Sequence, residues 1–261
     1  MSSAFPILCK QWRRTRHLSQ LELAENAAIS QRHLSWLETG RSQPSREMVL
    51  KLADALEIPL RERNSLLTAA GFAAQYRESA LDEPHMAPVK SALKQVLGHH
   101  EPFPAVVVDR KWNRVMANGA ADTLFALAGT PVDSEEPFNL AAATLAPDGL
   151  RRFITNWDVA APLFVQRLRG EAIASGESEV IAHVEALIRA AGQLPTLKAS
   201  TEPLLPVLPL ELALDELKLS LFTVISTFGT PQDITTDELR IEAFYPADAA
   251  TSEFFENATM T

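Results

Sequence analysis

Residues 19–45, SQLELAENAAISQRHLSWLETGRSQPS, constrain what this chain can fold into more than any other stretch. Ser19 is placed to cap a helix, and Glu22 three residues on completes a capping box, a reciprocal pair that satisfies two orphan backbone donors. Leu21, Ala24 and Ala28 recur at helical spacing and predict a short first helix with an apolar face. Residues 28–30 form the turn, and Ser30 caps a second helix over residues 31–38. There Leu34 and Leu37 point inward, and Gln31, Arg32, Ser35 and Trp36 point outward. A helix that reads the major groove needs this combination: core residues that fix its angle, and hydrogen-bonding side chains near its N-terminus. An ordinary helical hairpin shares the turn. It does not share the sum of capping, patterning and following loop, so double-stranded DNA is the expected partner.

The flanks supply three more helices. Residues 5–16 place Phe5, Leu8, Cys9 and Trp12 on one face, and Ser45 caps a fourth helix whose Met48, Val49, Leu52 and Leu56 pack inward. Pro59 opens a fifth at a position where its missing N–H costs nothing, and Gly71 ends it. The run ELAENAAIS, then RHLSWLETGRSQPS, resembles the Cro/repressor-type (XRE) helix-turn-helix family, and the likeness extends over residues 8–76. It implies a five-helix domain over residues 1–76. It further implies phosphate contacts from Gln20 and the loop Thr39, Gly40, Arg41 and Ser42, with Ser30, Gln31, Arg32 and Trp36 facing the bases. Trp36 departs from the family pattern, in which a polar residue is usual. Packing on a thymine methyl, packing on a sugar, and covering the core are all open to it.

Charge is divided in the same way. Residues 1–78 carry 11 Lys+Arg against 8 Asp+Glu, a net of +3, and the remainder carries 13 against 25, a net of −12. An acidic chain does not coat nucleic acid indiscriminately, whereas a mildly basic module on an acidic body suits a sequence-specific binder. Arg13, Arg14, Arg16, Arg32, Arg41 and Arg46 are the candidate phosphate partners, and Arg61 and Arg63 read as solvated helix charge.

With 261 residues, a second domain with its own core is expected. No stretch approaches the run of about 20 apolar residues that spans a bilayer. The N-terminus has no basic-then-apolar leader, so no membrane association and a cytoplasmic location are expected. Cys9 is the single cysteine and reads as core packing. Residues 77–88, polar and with two prolines, read as a linker. Beyond it, residues 89–97 predict a helix broken at Gly98, residues 105–109 and 112–117 a β-hairpin, and 119–127 a helix. Residues 129–137 read as a loop and 140–191 as a long helical region interrupted at Gly170 and Gly176. Strands are expected at 208–212, 218–228 and 239–245, the second with its middle buried on both faces, and residues 251–261 are expected to form a tail that is frayed or docks late. The fold class is thus an all-α five-helix domain followed by an α+β domain, an antiparallel sheet with helices on one face.

PAVVVDRKWNRVMANGAA, followed much later by STFGTPQDITTDELRIEAFYPAD, resembles the MmyB-like regulators. In that family an XRE domain precedes a PAS-like ligand-binding domain, here residues 89–250. The resemblance implies a transcription regulator that encloses a small apolar molecule, with fatty acids the suspected class. Candidate lining residues are Trp112, Phe125, Phe153, Trp157, Phe164, Phe222 and Phe228, together with Val107, Phe138, Leu221 and Ile225. Core packing explains each of them equally well. A carboxylate end would need a cation, and Arg167 is the leading candidate among Arg110, Lys111, Arg114, Arg151, Arg152, Arg167 and Arg169. No cofactor is expected: His183 has no second feature that would make it a haem ligand, and the only cysteine lies in the other domain. His99, His100 and Glu101 are adjacent residues among prolines and read as a connector, not a metal site. No phosphate loop, nucleophile elbow or paired-histidine metal motif argues for an enzyme. Because one reading helix specifies few base pairs, a homodimer on a two-fold operator is expected. The alternative is a second domain that only dimerises or binds a protein partner.

Overall fold

The computed structural model of the chain describes residues 4–129, 138–196, 207 and 209–258. The chain divides into two compact units, one running to Ser79 together with Thr230–Asp237, the other comprising Ala80–Gly229 and Glu238–Thr261.

The first unit is helical: α1 (Phe5–Thr15), α2 (Gln20–Asn26), α3 (Gln31–Glu38), α4 (Arg46–Ala55) and α5 (Leu60–Ala69). Serine caps set the starts. The Ser19, Ser30 and Ser45 hydroxyls accept from the backbone N–H groups of Glu22, His33 and Met48, and the Glu22 carboxylate accepts from Ser19 N to complete the box. The buried face of α2 differs from the one expected. Leu23, Ala24 and Ala27 are in the core, whereas Leu21 is 51% exposed and Ala28 lies on the surface. Both sets recur at helical spacing, and packing selected between them: Ala28 leaves the helix at φ 45, in the turn that sends the chain into α3.

The α5 start has a different cap. Pro59 offers no side-chain acceptor, and the Asp237 carboxylate takes the Leu60 N–H at 3.0 Å instead. Asp237 ends the Thr230–Asp237 segment, which is fixed to the same unit through Asp233, acceptor for the Ser79 hydroxyl at 2.7 Å. A cap supplied from so far along the chain leaves no local signal in the sequence. Asp237→Ala is expected to destabilise the helical unit by about 1 kcal/mol. Cys9 provides the readout, because it is fully buried and its thiol is pushed up to about 12, chiefly by burial and secondarily by the Glu38 charge, against the lowering effect of Arg13. Thiol labelling at neutral pH therefore reports opening of this unit, and an unchanged labelling midpoint in urea would refute the cap's contribution.

The second unit is α+β. It contains α6 (Ala87–His100), β1 (Ala105–Val108), β2 (Arg114–Ala117), α7 (Gly119–Leu127), α8 (Leu140–Leu145), a 3-10 turn (Leu150–Phe153), α9 (Trp157–Ser175) and α10 (Ser178–Ala190). It closes with β3 (Leu210–Leu214), β4 (Leu217–Ser226), β5 (Arg240–Pro246) and a C-terminal helix, Ala249–Ala258. The strands form one antiparallel sheet in the order β2-β1-β5-β4-β3. β1 is buried on both faces. Ala105 and Val107 pack with Leu93 and Leu97 of α6, while Val106 and Val108 pack with Leu168, Ala172 and Val184 of the α9–α10 layer.

Two expectations need correcting. Gly98 and Gly170 lie inside α6 and α9, because a helical glycine costs only about 1 kcal/mol, whereas Gly176 ends α9 at φ 76, where a side chain would be strained. The β4 segment from Thr223 to Ser226 is exposed, not buried on both faces. Its pairing with β3 ends at Leu210 and Leu221, so among the described residues β5 alone flanks it. Residues 251–258 are helical, with Thr251 and Phe255 buried. The expected loop at 130–137 and the first position of the 208–212 strand lie outside the described residues.

Candidate functional sites: a DNA-reading helix and an apolar cavity

The candidate reading helix is α3. Gln31 and Arg32 occupy its first turn, fully on the surface, one and two residues past the Ser30 cap. Arg32 stacks its guanidinium over the Trp36 ring at 4.6 Å, and Trp36 is 38% exposed. Stacking orients the guanidinium without using its N–H donors. Ser35 is half-buried, and its carbonyl accepts from the Thr39 hydroxyl at 2.7 Å. The following loop folds back on α3: the Arg41 and Ser42 N–H groups both donate to Trp36 O, at 2.9 and 3.2 Å. Gln20 is half-buried, and its amide nitrogen donates to Glu38 Oε2 at 2.8 Å.

Three of the six arginines expected at phosphates are engaged within the unit. Arg13 grips the buried Glu38 and donates to Leu18 O, Arg16 donates to the Leu56 and Glu57 carbonyls, and Arg46 to Ala73 O and Gln75. Arg61 and Arg63 are not free helix charges either, being paired with Glu78 and Asp54. Arg14, Arg32 and Arg41 remain exposed.

In the α+β unit a cavity of about 250 Å³ lies between one face of the sheet and the helices. Period-2 alternation delivers Leu210, Leu212 and Leu214 from β3, Leu221 and Thr223 from β4, and Glu242 and Phe244 from β5 to the same face. Helical spacing delivers Trp157, Ala160, Leu163, Phe164 and Arg167 from α9. Trp112, Leu124, Phe125, Ala128, Leu140 and Thr144 close another side, and Leu150, Phe153 and Ile154 a third. Trp112 meets Phe164 edge to face, with ring centroids 5.3 Å apart.

Of the lining residues named from sequence, Trp112, Phe125, Phe153, Trp157, Phe164, Arg167 and Leu221 come together here. Phe222 and Phe228 do not. Strand alternation turns Phe222 to the opposite face, stacked on Tyr245 at 5.5 Å, and Phe228 packs with the cluster around α6. Val107 joins that cluster as well, while Phe138 sits against Phe125 behind the lining and Ile225 is exposed. Glu242 was not foreseen: in the alternating run RIEAFYP it reads as an outward polar residue. It is buried, and both its oxygens accept from Arg167. Arg167 also donates to Glu171 Oε1 at 2.9 Å and lies over the Trp112 ring at 4.7 Å. Burial acts to lower the Arg167 pKa, but its hydrogen bonds and the charges of Glu242 and Glu171 outweigh that and raise it.

None of the other candidate cations lines the cavity, and each has partners within the unit. Arg110 pairs with Glu177 and Glu238, Lys111 with Glu179, Arg114 with Asp122, and Arg169 with Glu185. Arg151 and Arg152 donate to the carbonyls of Ala191 and Ala128. His183 Nε2 lies 3.2 Å from Lys111 O, His100 Nε2 lies 2.8 Å from Phe244 O, and Glu101 accepts from Gly119 N. Among the described residues no helix is long and apolar enough to cross a membrane.

A capped, exposed reading helix in one unit and an apolar cavity in the other define a DNA-binding transcription regulator with a ligand-binding type of C-terminal domain. Residues 8–66 match the helix-turn-helix domain. Residues 89–258 match the MmyB-like transcription regulator ligand binding domain, and the chain belongs to that family. No curated protein matches the chain.

Proposed function

We propose that the chain is a cytoplasmic, homodimeric regulator that reads a two-fold operator through α3 and changes its grip when an apolar molecule, of the fatty-acyl class, fills the cavity. The observation that carries this reading is the cavity itself, about 250 Å³ lined almost wholly by aliphatic and aromatic side chains. Chain order supports coupling. Thr230–Asp237, which belongs to the helical unit, lies in sequence between two strands that line the cavity, and residues 77–88 provide the second connection. A ligand changes operator affinity only by binding two arrangements of the dimer unequally.

Native mass spectrometry of gently purified protein, followed by extraction, tests the sensing reading. An adduct of acyl-chain mass on a dimer supports it, and a clean apo dimer assigns the domain to dimerisation instead. Operator affinity that is identical with and without the extracted molecule would end the coupling proposal. Arg32→Ala should weaken a selected operator by roughly 1–3 kcal/mol and relax preference at one base pair. A uniform loss on every sequence would move Arg32 to the phosphates.

A further inference from the structure

We infer that the molecule held in the cavity is uncharged at its polar end and presents a hydrogen-bond acceptor, a carbonyl, ester or ether oxygen, to the indole N–H of Trp157. This rests on the ligand-binding reading above and narrows it to one form of acyl compound.

Trp157 lines the cavity at the first position of α9. Its Nε1 is buried and finds no hydrogen-bond partner among the described residues. A buried donor without an acceptor is costly, and a ligand that enters beside the indole and displaces the atoms now covering Nε1 supplies the missing acceptor. The indole is held without using this N–H. Arg151 lies over its ring at 5.1 Å, and the preceding Asn156 is tied to β3 by bonds to Pro209 O at 2.8 Å and from Glu211 N at 3.2 Å.

Of the other polar groups on the wall, Thr223 offers a hydroxyl where the lining is exposed, but none offers a carboxylate an unneutralised positive charge. The Thr144 hydroxyl donates to Leu140 O at 2.7 Å. Every nitrogen of the Arg167 guanidinium is engaged by Glu242 or Glu171, and Glu242 brings a buried negative charge of its own. No other Lys or Arg lines the cavity among the described residues. A fatty-acid anion would meet a guanidinium already neutralised by Glu242 and Glu171, beside the buried negative charge of Glu242, and burying it there without a counter-charge of its own is costly. An ester, ketone or amide of the same chain length meets no such obstacle. A cavity of about 150 Å³ accommodates benzene, so one of about 250 Å³ suits a chain of roughly ten carbons.

Octanoate and methyl octanoate, titrated at neutral pH into the full chain, separate the possibilities. Calorimetry supplies the affinities, and the four tryptophan indole N–H resonances supply the contact, with Trp157→Phe assigning one of them. The expected result is that the ester binds at least tenfold more tightly than the anion. The Trp157 N–H should shift downfield on ester binding, and Trp157→Phe should weaken the ester roughly three- to tenfold. Octanoate binding as well as its ester would overturn the inference and leave the apolar-ligand reading standing. Ester binding with an unmoved Trp157 resonance, observed on the unaltered protein, would also overturn it. Failure of both probes, with no acyl adduct in native mass spectrometry, would overturn the inference together with the reading it rests on.

Discussion

Glu38→Ala is expected to destabilise the helical unit by about 3–5 kcal/mol, the range for removing one partner of a buried ion pair. Glu38 ends α3 with a side chain only 1% exposed, and its carboxylate joins three helices. Arg13 of α1 donates to both oxygens, at 2.6 and 2.9 Å, and Gln20 of α2 adds a third bond at 2.8 Å. The substitution leaves the Arg13 guanidinium, 11% exposed, without its counter-charge. A whole domain is stable by only about 5–15 kcal/mol, so Cys9 should become labelled at far lower urea in the variant. A labelling midpoint unchanged from the parent protein would contradict the geometry. The same pair sets an acid limit. Burial acts to raise the Glu38 carboxyl, but the hydrogen bonds from Arg13 and Gln20 and the positive charges of Arg13 and Lys10 win and hold it below its ordinary 4.5. A depressed folded-state value means that the stabilisation is fully present above 4.5 and is lost as the pH falls through the lowered value. The urea midpoint of the helical unit should therefore fall on acidification below that point, and Glu38→Gln should flatten the fall.

Arg167→Ala should cost the α+β unit a similar amount, roughly 3–5 kcal/mol, because Glu242, 2% exposed, is left as an unpaired charge in the wall of an apolar cavity. The paired replacement Arg167→Met with Glu242→Leu should recover most of the loss, since two apolar side chains replace two desolvated charges. Thermal melting of the four chains, parent, two singles and the double, measures the coupling directly. A single variant as stable as the parent would mean that Arg167 is not committed to Glu242. It would then be free for a ligand carboxylate, and the case for an uncharged ligand would lose its main support.

The residue pattern alone set the helical elements of the first unit and the charge division between the two parts of the chain. Caps and apolar periods act within one turn of helix, so Ser19, Ser30 and Ser45 announce their helices with no knowledge of what lies opposite. It also marked the aromatic half of the cavity, because Trp157, Phe164 and Arg167 share a face by spacing alone. How the charges are used depends on long-range packing. Arg13 and Arg167 look like ordinary basic residues until partners 25 and 75 residues away close on them, and Asp237 caps a helix 177 residues earlier. The phase of an ambiguous period was also settled by packing, as the exposure of Leu21 and the outward turn of Phe222 demonstrate. Local patterns encode which face a residue can share; the partner that meets that face is set by the chain's long-range return, and burial strength and ion pairing depend on the partner.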